Sequence, residues 1–141
     1  MNASARIAIV DTGPLIAAAH PLDPDHDRCV HFFRSSTVHL IVPALVVAET
    51  LFFIGDRQGP IAEARFITRL PTSDVRTPHP DDWPRIAELV HQYRDFPLGS
   101  VDASIVALAE RLDTDTIVTL DQRHFSVVRP RHVAAFRLLP E

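Results

Sequence analysis

The stretch IAIVDTGPLIAAA, residues 7–19, decides the fold class, because a single acid separates two apolar runs. Residues 6–10 are rich in β-branched side chains and predict a short, buried parallel strand. A helix is predicted to begin near Pro14, since proline is favoured at the first helical position. Asp11 then stands where a buried strand gives way to a helix. A lone carboxylate there costs free energy unless it is paired, protonated or bound to a metal.

The remainder of the chain predicts further alternating strands and helices. Strands are expected at 39–42, 74–76, 116–120 and 133–138, the last at an edge of the sheet. Helices are expected at 24–34 with Asp23 as N-cap, from Pro43 to about 56, at 61–69, at 81–94, and at 100–112 with Ser100 as N-cap. This alternation predicts an α/β sandwich with a mainly parallel sheet.

Length and composition indicate one ordinary globular domain spanning residues 1–141. The chain is 46% hydrophobic and 23% charged, and 141 residues are enough to bury one core. No apolar run reaches the length of a membrane span, and no signal peptide is recognisable at the N-terminus. The single cysteine, Cys29, fits a reducing compartment, so we expect a cytoplasmic protein.

The basic residues restrict the chemistry. The net charge of −4 argues against binding nucleic acid by bulk attraction, and all 14 basic residues are arginine. The absence of lysine excludes a P-loop and a Schiff-base mechanism. Four arginines and two histidines, with no acid, occupy residues 123–137. This segment is interpreted either as a phosphate-binding surface or as a solvated basic surface.

Four acids occupy positions that a sheet edge would bring together. Asp11 and Asp121 each follow an apolar strand, and ligands bind beyond the carboxyl ends of parallel strands. Glu49 and Asp102 lie on predicted helices, beside apolar neighbours at helical spacing. Taken singly, each has a structural explanation: a turn residue, a helix cap, a helix-dipole partner or a partner for a buried arginine. These separate explanations do not account well for all four acids converging on one site.

Four convergent carboxylates repel one another and raise one another's pKa, which a divalent cation resolves. Carboxylate oxygens suit Mg²⁺, with Mn²⁺ as a substitute, and neither a cysteine pair nor a close histidine pair offers a zinc site. A metal that activates water and stabilises a phosphoryl transition state predicts phosphodiester hydrolysis. From the residues alone, Asp11 and Asp102 are expected to hold the metal. Glu49 and Asp121 are expected to bind a second ion, hold its waters or position the attacking water.

The stretches IVDTGPLIA, VVAETLF, LGSVDASIVALAERL and IVTLDQRHF resemble, in order and spacing, the PIN-domain family and its VapC-type toxins. The resemblance implies a three-layer α/β/α fold and a magnesium-dependent endoribonuclease that cuts structured RNA, tRNA or ribosomal RNA. It assigns metal binding to Asp11 and Asp102, completes an acidic quartet with Glu49 and Asp121, and gives Thr12 a supporting role. It also implies a homodimer and a cognate antitoxin that covers the acidic groove.

Four basic residues near the last acid are candidate RNA contacts: Arg123, His124, Arg129 and Arg131. A structural role is the alternative for each, and Phe125 is expected in the core. Two other functions compete with the nuclease. A phosphotransfer protein is disfavoured because receiver domains need a lysine and haloacid-type phosphatases an Asp-x-Asp motif, whereas Thr12 and Gly13 follow Asp11 here. A non-catalytic module with an acidic partner-binding groove stays open.

Overall fold

The computed structural model describes residues 6–141, so residues 1–5 of the predicted domain lie outside the described residues. The strands are β1 (Ile7–Val10), β2 (His39–Pro43), β3 (Asp74–Arg76), β4 (Thr116–Val118) and β5 (Arg137–Leu139). The helices are α1 (Thr12–Ala19), α2 (His26–Ser35), α3 (Ala44–Gln58), α4 (Pro60–Ile67), α5 (Asp82–Gln92), α6 (Ser100–Arg111) and α7 (Gln122–Val127). Within the described chain, no helix combines the length and apolar character needed to cross a membrane.

The five strands form one parallel sheet in the order β3-β2-β1-β4-β5, which confirms the predicted α/β sandwich. Ile9 in the central strand pairs in register with Ile41 and Ile117, and all three side chains are fully buried. Helix α1 contacts α2 and α3, while α5 packs on α6, which contacts β1 and β2. With β1 at the centre, the carboxyl ends of β1, β2 and β4 open onto the same edge.

Several predicted boundaries are wrong for local reasons. Helix α2 begins at His26, because the Asp23 carboxylate accepts a hydrogen bond from the Asp25 backbone and forms a turn before the helix. Asp25, not Asp23, occupies the cap position. Helix α6 begins at Ser100 itself, with Gly99 at the cap position and no side-chain cap. Ser100 as N-cap is therefore incorrect.

The predicted strands at 116–120 and 133–138 are shorter than expected. Strand β4 ends at Val118, and only Arg137–Leu139 pairs with it, at the expected edge of the sheet. The apolar character of the segment before β5 comes from packing and not from strand pairing. Phe136 is buried, with its ring 6.3 Å from that of Phe125.

The turn between α3 and α4 depends on Gly59, which has φ +89° and ψ 177°. This backbone region is essentially restricted to glycine. We expect Gly59→Ala to lower the free energy of unfolding by about 1–3 kcal/mol in chemical denaturation. Gly99→Ala is the matched control, because Gly99 has φ −72° and open space around its Cα. Equal effects of the two substitutions would contradict this account of the turn.

Candidate metal and active site

The four predicted acids converge on one cleft at the carboxyl edge of the sheet. Asp11 follows β1 and Asp121 follows the end of β4, while α3 and α6 contribute Glu49 and Asp102. All four line a cleft of about 680 Å³, together with Thr12. The sheet order explains the convergence, because β1 lies between β2, which leads into α3, and β4.

Asp11 is nearly buried at the floor of the cleft, with 6% of its surface exposed. One carboxylate oxygen accepts a hydrogen bond from the Thr12 backbone at 2.7 Å, which caps α1. The other accepts one from the Thr119 hydroxyl, also at 2.7 Å. Burial raises the pKa of Asp11, the hydrogen bonds from Thr119 and Thr12 oppose it, and the charges of Asp121 and Glu49 raise it further. The carboxylate is thus rigidly held and surrounded by like charge.

Thr119 is a site residue that the sequence pattern does not single out. Its hydroxyl donates to Asp11 and accepts a hydrogen bond from the Asp121 backbone N–H at 2.9 Å. Thr119 is itself buried. One hydroxyl therefore links the acid after β1 to the acid after β4. The signal available in the sequence is only a threonine two residues before Asp121, which is also common in ordinary turns.

Among the four acids of the cleft, Asp102 has the most strongly shifted pKa. Burial raises its pKa to about 7, the negative charge of Asp11 adds to the rise, and His124 opposes it. Smaller increases come from the charges of Asp121 and Glu49. At neutral pH, Asp102 is therefore close to the midpoint of its titration. A cation entering the cleft would bind the ionised form and displace the proton.

Asp121 and His124 form a pair at the start of α7. One Asp121 oxygen accepts a hydrogen bond from the His124 backbone at 3.0 Å, so Asp121 caps α7. The other carboxylate oxygen contacts His124 Nδ1. Ligand atoms of Asp102, Asp121 and His124 all lie within 4.8 Å of one another. His124, which the sequence suggests as an RNA contact, thus also stands among the candidate metal ligands.

The donor set of the cleft fits a hard divalent cation. Among residues 6–141, no arginine or histidine lies within ion-pair distance of Asp11, Glu49 or Asp102. The Thr12 hydroxyl is buried in the cleft and has no hydrogen-bond partner, so it is an oxygen left for a ligand or its water. Carboxylate oxygens with one imidazole nitrogen match Mg²⁺ or Mn²⁺ better than a thiolate-seeking metal.

The other predicted RNA contacts fall into two groups. Arg123 is exposed and its guanidinium lies over the Phe96 ring beside His124. Arg129 donates to the Ser126 carbonyl, and Arg131 pairs with Glu88 at 2.8 Å. Arg129 and Arg131 thus already hold partners away from the cleft, and their contact with RNA stays a prediction. Phe125 is buried in the core, as predicted.

A substitution at Thr119 tests the bridging hydroxyl while leaving every carboxylate in place. We expect Thr119→Val to weaken Mn²⁺ binding by about 10–100-fold, because both Asp11 and Asp121 lose the group that orients them. Isothermal titration calorimetry would measure this, with Thr119→Ser as the control that retains the hydroxyl. Unchanged affinity in Thr119→Val would show that the bridge does not orient the site.

Comparison with known proteins agrees with this fold. The family model of the PIN domain matches residues 8–129. Ribonuclease VapC26 of Mycobacterium tuberculosis is 34% identical over 134 residues, covering 94% of this chain and 99% of the relative. The chain therefore belongs to the PIN-domain family. Within that family, its similarity is to the VapC proteins.

Solved structures confirm the fold at lower sequence identity. VapC20 of Mycobacterium tuberculosis, a toxin that cleaves the sarcin–ricin loop, matches with a TM-score of 0.74 and 19% identity. The match covers 83% of this chain and 91% of VapC20. FitAcB of Neisseria gonorrhoeae matches with a TM-score of 0.61 and 17% identity, over 82% of this chain and 87% of FitAcB. Both comparisons support the three-layer α/β/α architecture.

Proposed function

We propose that this protein is a Mg²⁺-dependent endoribonuclease that acts as the toxin of a toxin–antitoxin pair. The observation that carries the proposal is the convergence of Asp11, Glu49, Asp102 and Asp121 on one cleft, with no arginine within ion-pair distance of any of them among residues 6–141. Such a cleft is electrostatically incomplete without a cation. The relationship to ribonuclease VapC26 supports RNA as the substrate.

Asp11 and Asp102 would hold the metal, with Asp121 and His124 close enough to contribute ligands or to hold its waters. When bound, the ion supplies charge stabilisation at the scissile phosphate and lowers the pKa of a nearby water. Thr119 keeps the Asp11 carboxylate in a fixed orientation, and His124 does the same for Asp121. Glu49, which lines the cleft from α3, would orient the attacking water. The Thr12 hydroxyl, which has no hydrogen-bond partner within the described residues, would form a hydrogen bond with a ligand or a phosphate oxygen.

The substrate we propose is a structured RNA, either tRNA or ribosomal RNA, whose cleavage blocks translation. VapC20, a relative by fold, is a toxin that cuts the sarcin–ricin loop, and this supports an RNA of the translation machinery. We further propose a homodimer, a cytoplasmic site of action where such RNA is found, and a cognate antitoxin that covers the acidic cleft. Arg123 and His124, beside Asp121, are the proposed RNA contacts closest to the cleft.

The test is to incubate the purified protein with total cellular RNA in Mg²⁺, Mn²⁺ or EDTA. We expect discrete fragments that require the metal, and sequencing of their ends would identify the RNA and the bond. Expression of the protein without its antitoxin should arrest growth. Cleavage that persists in EDTA would contradict metal dependence. A folded, metal-binding protein that cuts no RNA would favour the alternative, a non-catalytic module with an acidic partner-binding groove.

A further inference from the structure

On helix α3, a phenylalanine and an arginine form a stacked pair that extends from the acidic cleft toward solvent. Phe53 lies one helical turn after Glu49 and also lines the cleft. The guanidinium carbon of Arg57, one turn further, lies 4.7 Å from the centre of the Phe53 ring. At 1.5 Å per residue, the carboxylate, the ring and the cation follow one another along one face of the helix at intervals of about 6 Å.

A second pair of the same kind stands next to the last acid. The Phe96 ring packs against the His124 ring at a centroid distance of 5.0 Å. The guanidinium carbon of Arg123 lies 5.3 Å from the centre of the same Phe96 ring. Because His124 lies among the candidate metal ligands, this pair is only one ring removed from the cleft.

The two pairs involve helices that follow strands on opposite sides of β1. Helix α3 follows β2, α7 follows β4, and β1, whose last residue precedes Asp11, separates these two strands. The site that would bind the reacting phosphate is therefore flanked by one phenylalanine–arginine pair on each side. A polynucleotide crossing the cleft along the sheet edge would meet both.

The core does not account for either phenylalanine. Phe53 and Phe96 are half-buried and are absent from the hydrophobic core cluster formed by the described residues. Arg57 and Arg123 are exposed, and neither forms an ion pair with an acid in residues 6–141. Aromatic rings and guanidinium planes are the surfaces on which proteins stack unpaired nucleobases, and arginine also binds phosphate.

We propose that the Phe53–Arg57 and Phe96–Arg123 pairs stack the bases of unpaired nucleotides on the two sides of the scissile phosphate. This inference rests on the proposed ribonuclease function and specifies its substrate as an unpaired RNA segment, such as a loop. In a duplex the base faces are covered by their neighbours, so neither pair would be engaged. The stacks would fix the register of the strand and leave the carboxylates to act on the phosphate between them.

The test compares Phe53→Leu and Phe96→Leu with Trp83→Leu. Trp83 is the matched control, because it is an aromatic residue that is 51% exposed and lies outside the cleft lining, whereas the exposed Phe52 packs edge-on against Phe53 at 5.4 Å. On a hairpin substrate whose loop is cut, each of the first two variants should raise KM by about 5–100-fold with a smaller change in kcat. Phe53→Trp should restore binding, since any aromatic ring supports stacking. Trp83→Leu should behave as the wild type.

Base stacking itself is read without cleavage. An oligonucleotide carrying 2-aminopurine should lose fluorescence on binding to Asp102→Asn protein, and this quenching should disappear when Phe53→Leu or Phe96→Leu is added. Quenching that survives both substitutions, or a duplex cut as fast as the loop, would overturn the inference. If the wild-type protein cuts no RNA, the proposed function fails. The quenching experiment still decides whether the two rings bind bases.

Discussion

Replacing Asp102 by asparagine is expected to reduce RNA cleavage by about 10³-fold or more while leaving the protein folded. Asp102 lines the cleft with Asp11, and its ligand atom lies within 4.8 Å of those of Asp121 and His124. A metal supplies several kcal/mol of charge stabilisation in phosphoryl chemistry, and each 1.36 kcal/mol corresponds to a tenfold change in rate. Single-turnover cleavage of a defined RNA, at saturating Mg²⁺, would measure the loss.

Asp95→Asn is the matched control for this substitution. It removes the same charge from an exposed aspartate that does not line the cleft. The two variants should therefore share a similar net charge and differ only in the site. If Asp95→Asn were as inactive as Asp102→Asn, the loss would reflect general electrostatics and not a metal ligand. An Asp102→Asn protein with wild-type activity would remove this carboxylate from the site.

The second large effect is on stability. The substitution Asp102→Asn, which should reduce cleavage, should make the metal-free protein more stable at pH 7. In EDTA, the free energy of unfolding should fall as the pH rises from about 4 to 7, because the folded state holds a proton on Asp102 that the unfolded state has released. A shift of the Asp102 pKa from 3.8 to about 7 corresponds to roughly 4 kcal/mol as an upper value. Asp11, whose pKa is also raised by burial, contributes in the same direction.

The sign follows from the direction of each shift. A carboxyl group with a raised pKa contributes stability below its unfolded pKa and loses it as the pH rises through its folded pKa. Asp74 and Glu110 have lowered pKa values through hydrogen bonds from arginine, so their contributions are lost as the pH falls below about 5, at the acid end of this window. Asp102→Asn should flatten the decline and unfold at a higher denaturant concentration than the wild type at pH 7.

Urea unfolding at several pH values, in EDTA and in excess Mg²⁺, would measure this behaviour. In Mg²⁺ the wild-type profile should lose its decline, because the ion binds the ionised carboxylates of the folded state only. A metal-free protein whose stability is unchanged between pH 4 and 7 would contradict the proposed crowding of the acids. Equal unfolding midpoints for the wild type and Asp102→Asn at pH 7 in EDTA would do the same.

The sheet and the positions of the acids follow from short-range patterns. The β-branched run before Asp11 and the turn residues after it predict a strand and a helix, both of which are present. The parallel sheet then brings the ends of β1 and β4 together, so Asp11 and Asp121 share an edge. Glu49 and Asp102 could be placed by helical spacing alone, because each is a carboxylate beside apolar neighbours.

The contacts across the cleft could not be predicted in the same way. The Thr119 hydroxyl, which also accepts from the Asp121 backbone, contacts Asp11 over a separation of 108 residues, a contact that no local pattern encodes. The pairing of His124 with Asp121 depends on how α7 begins, and the stacking of Arg123 on Phe96 depends on the loop before α6. The Thr119–Asp11 and Arg123–Phe96 contacts join residues that lie far apart in the sequence. A single sequence indicates which residues are available for them but not which of them meet.

The central claim is that the convergent acids bind a divalent metal on which RNA cleavage depends. The most direct measurement titrates Mn²⁺ into wild-type and Asp102→Asn protein and follows both the bound ion, by electron paramagnetic resonance, and the cleavage of one RNA. We expect the two signals to rise together in the wild type and both to be lost or strongly weakened in the variant. Cleavage without bound metal, or undiminished metal binding by Asp102→Asn, would contradict it.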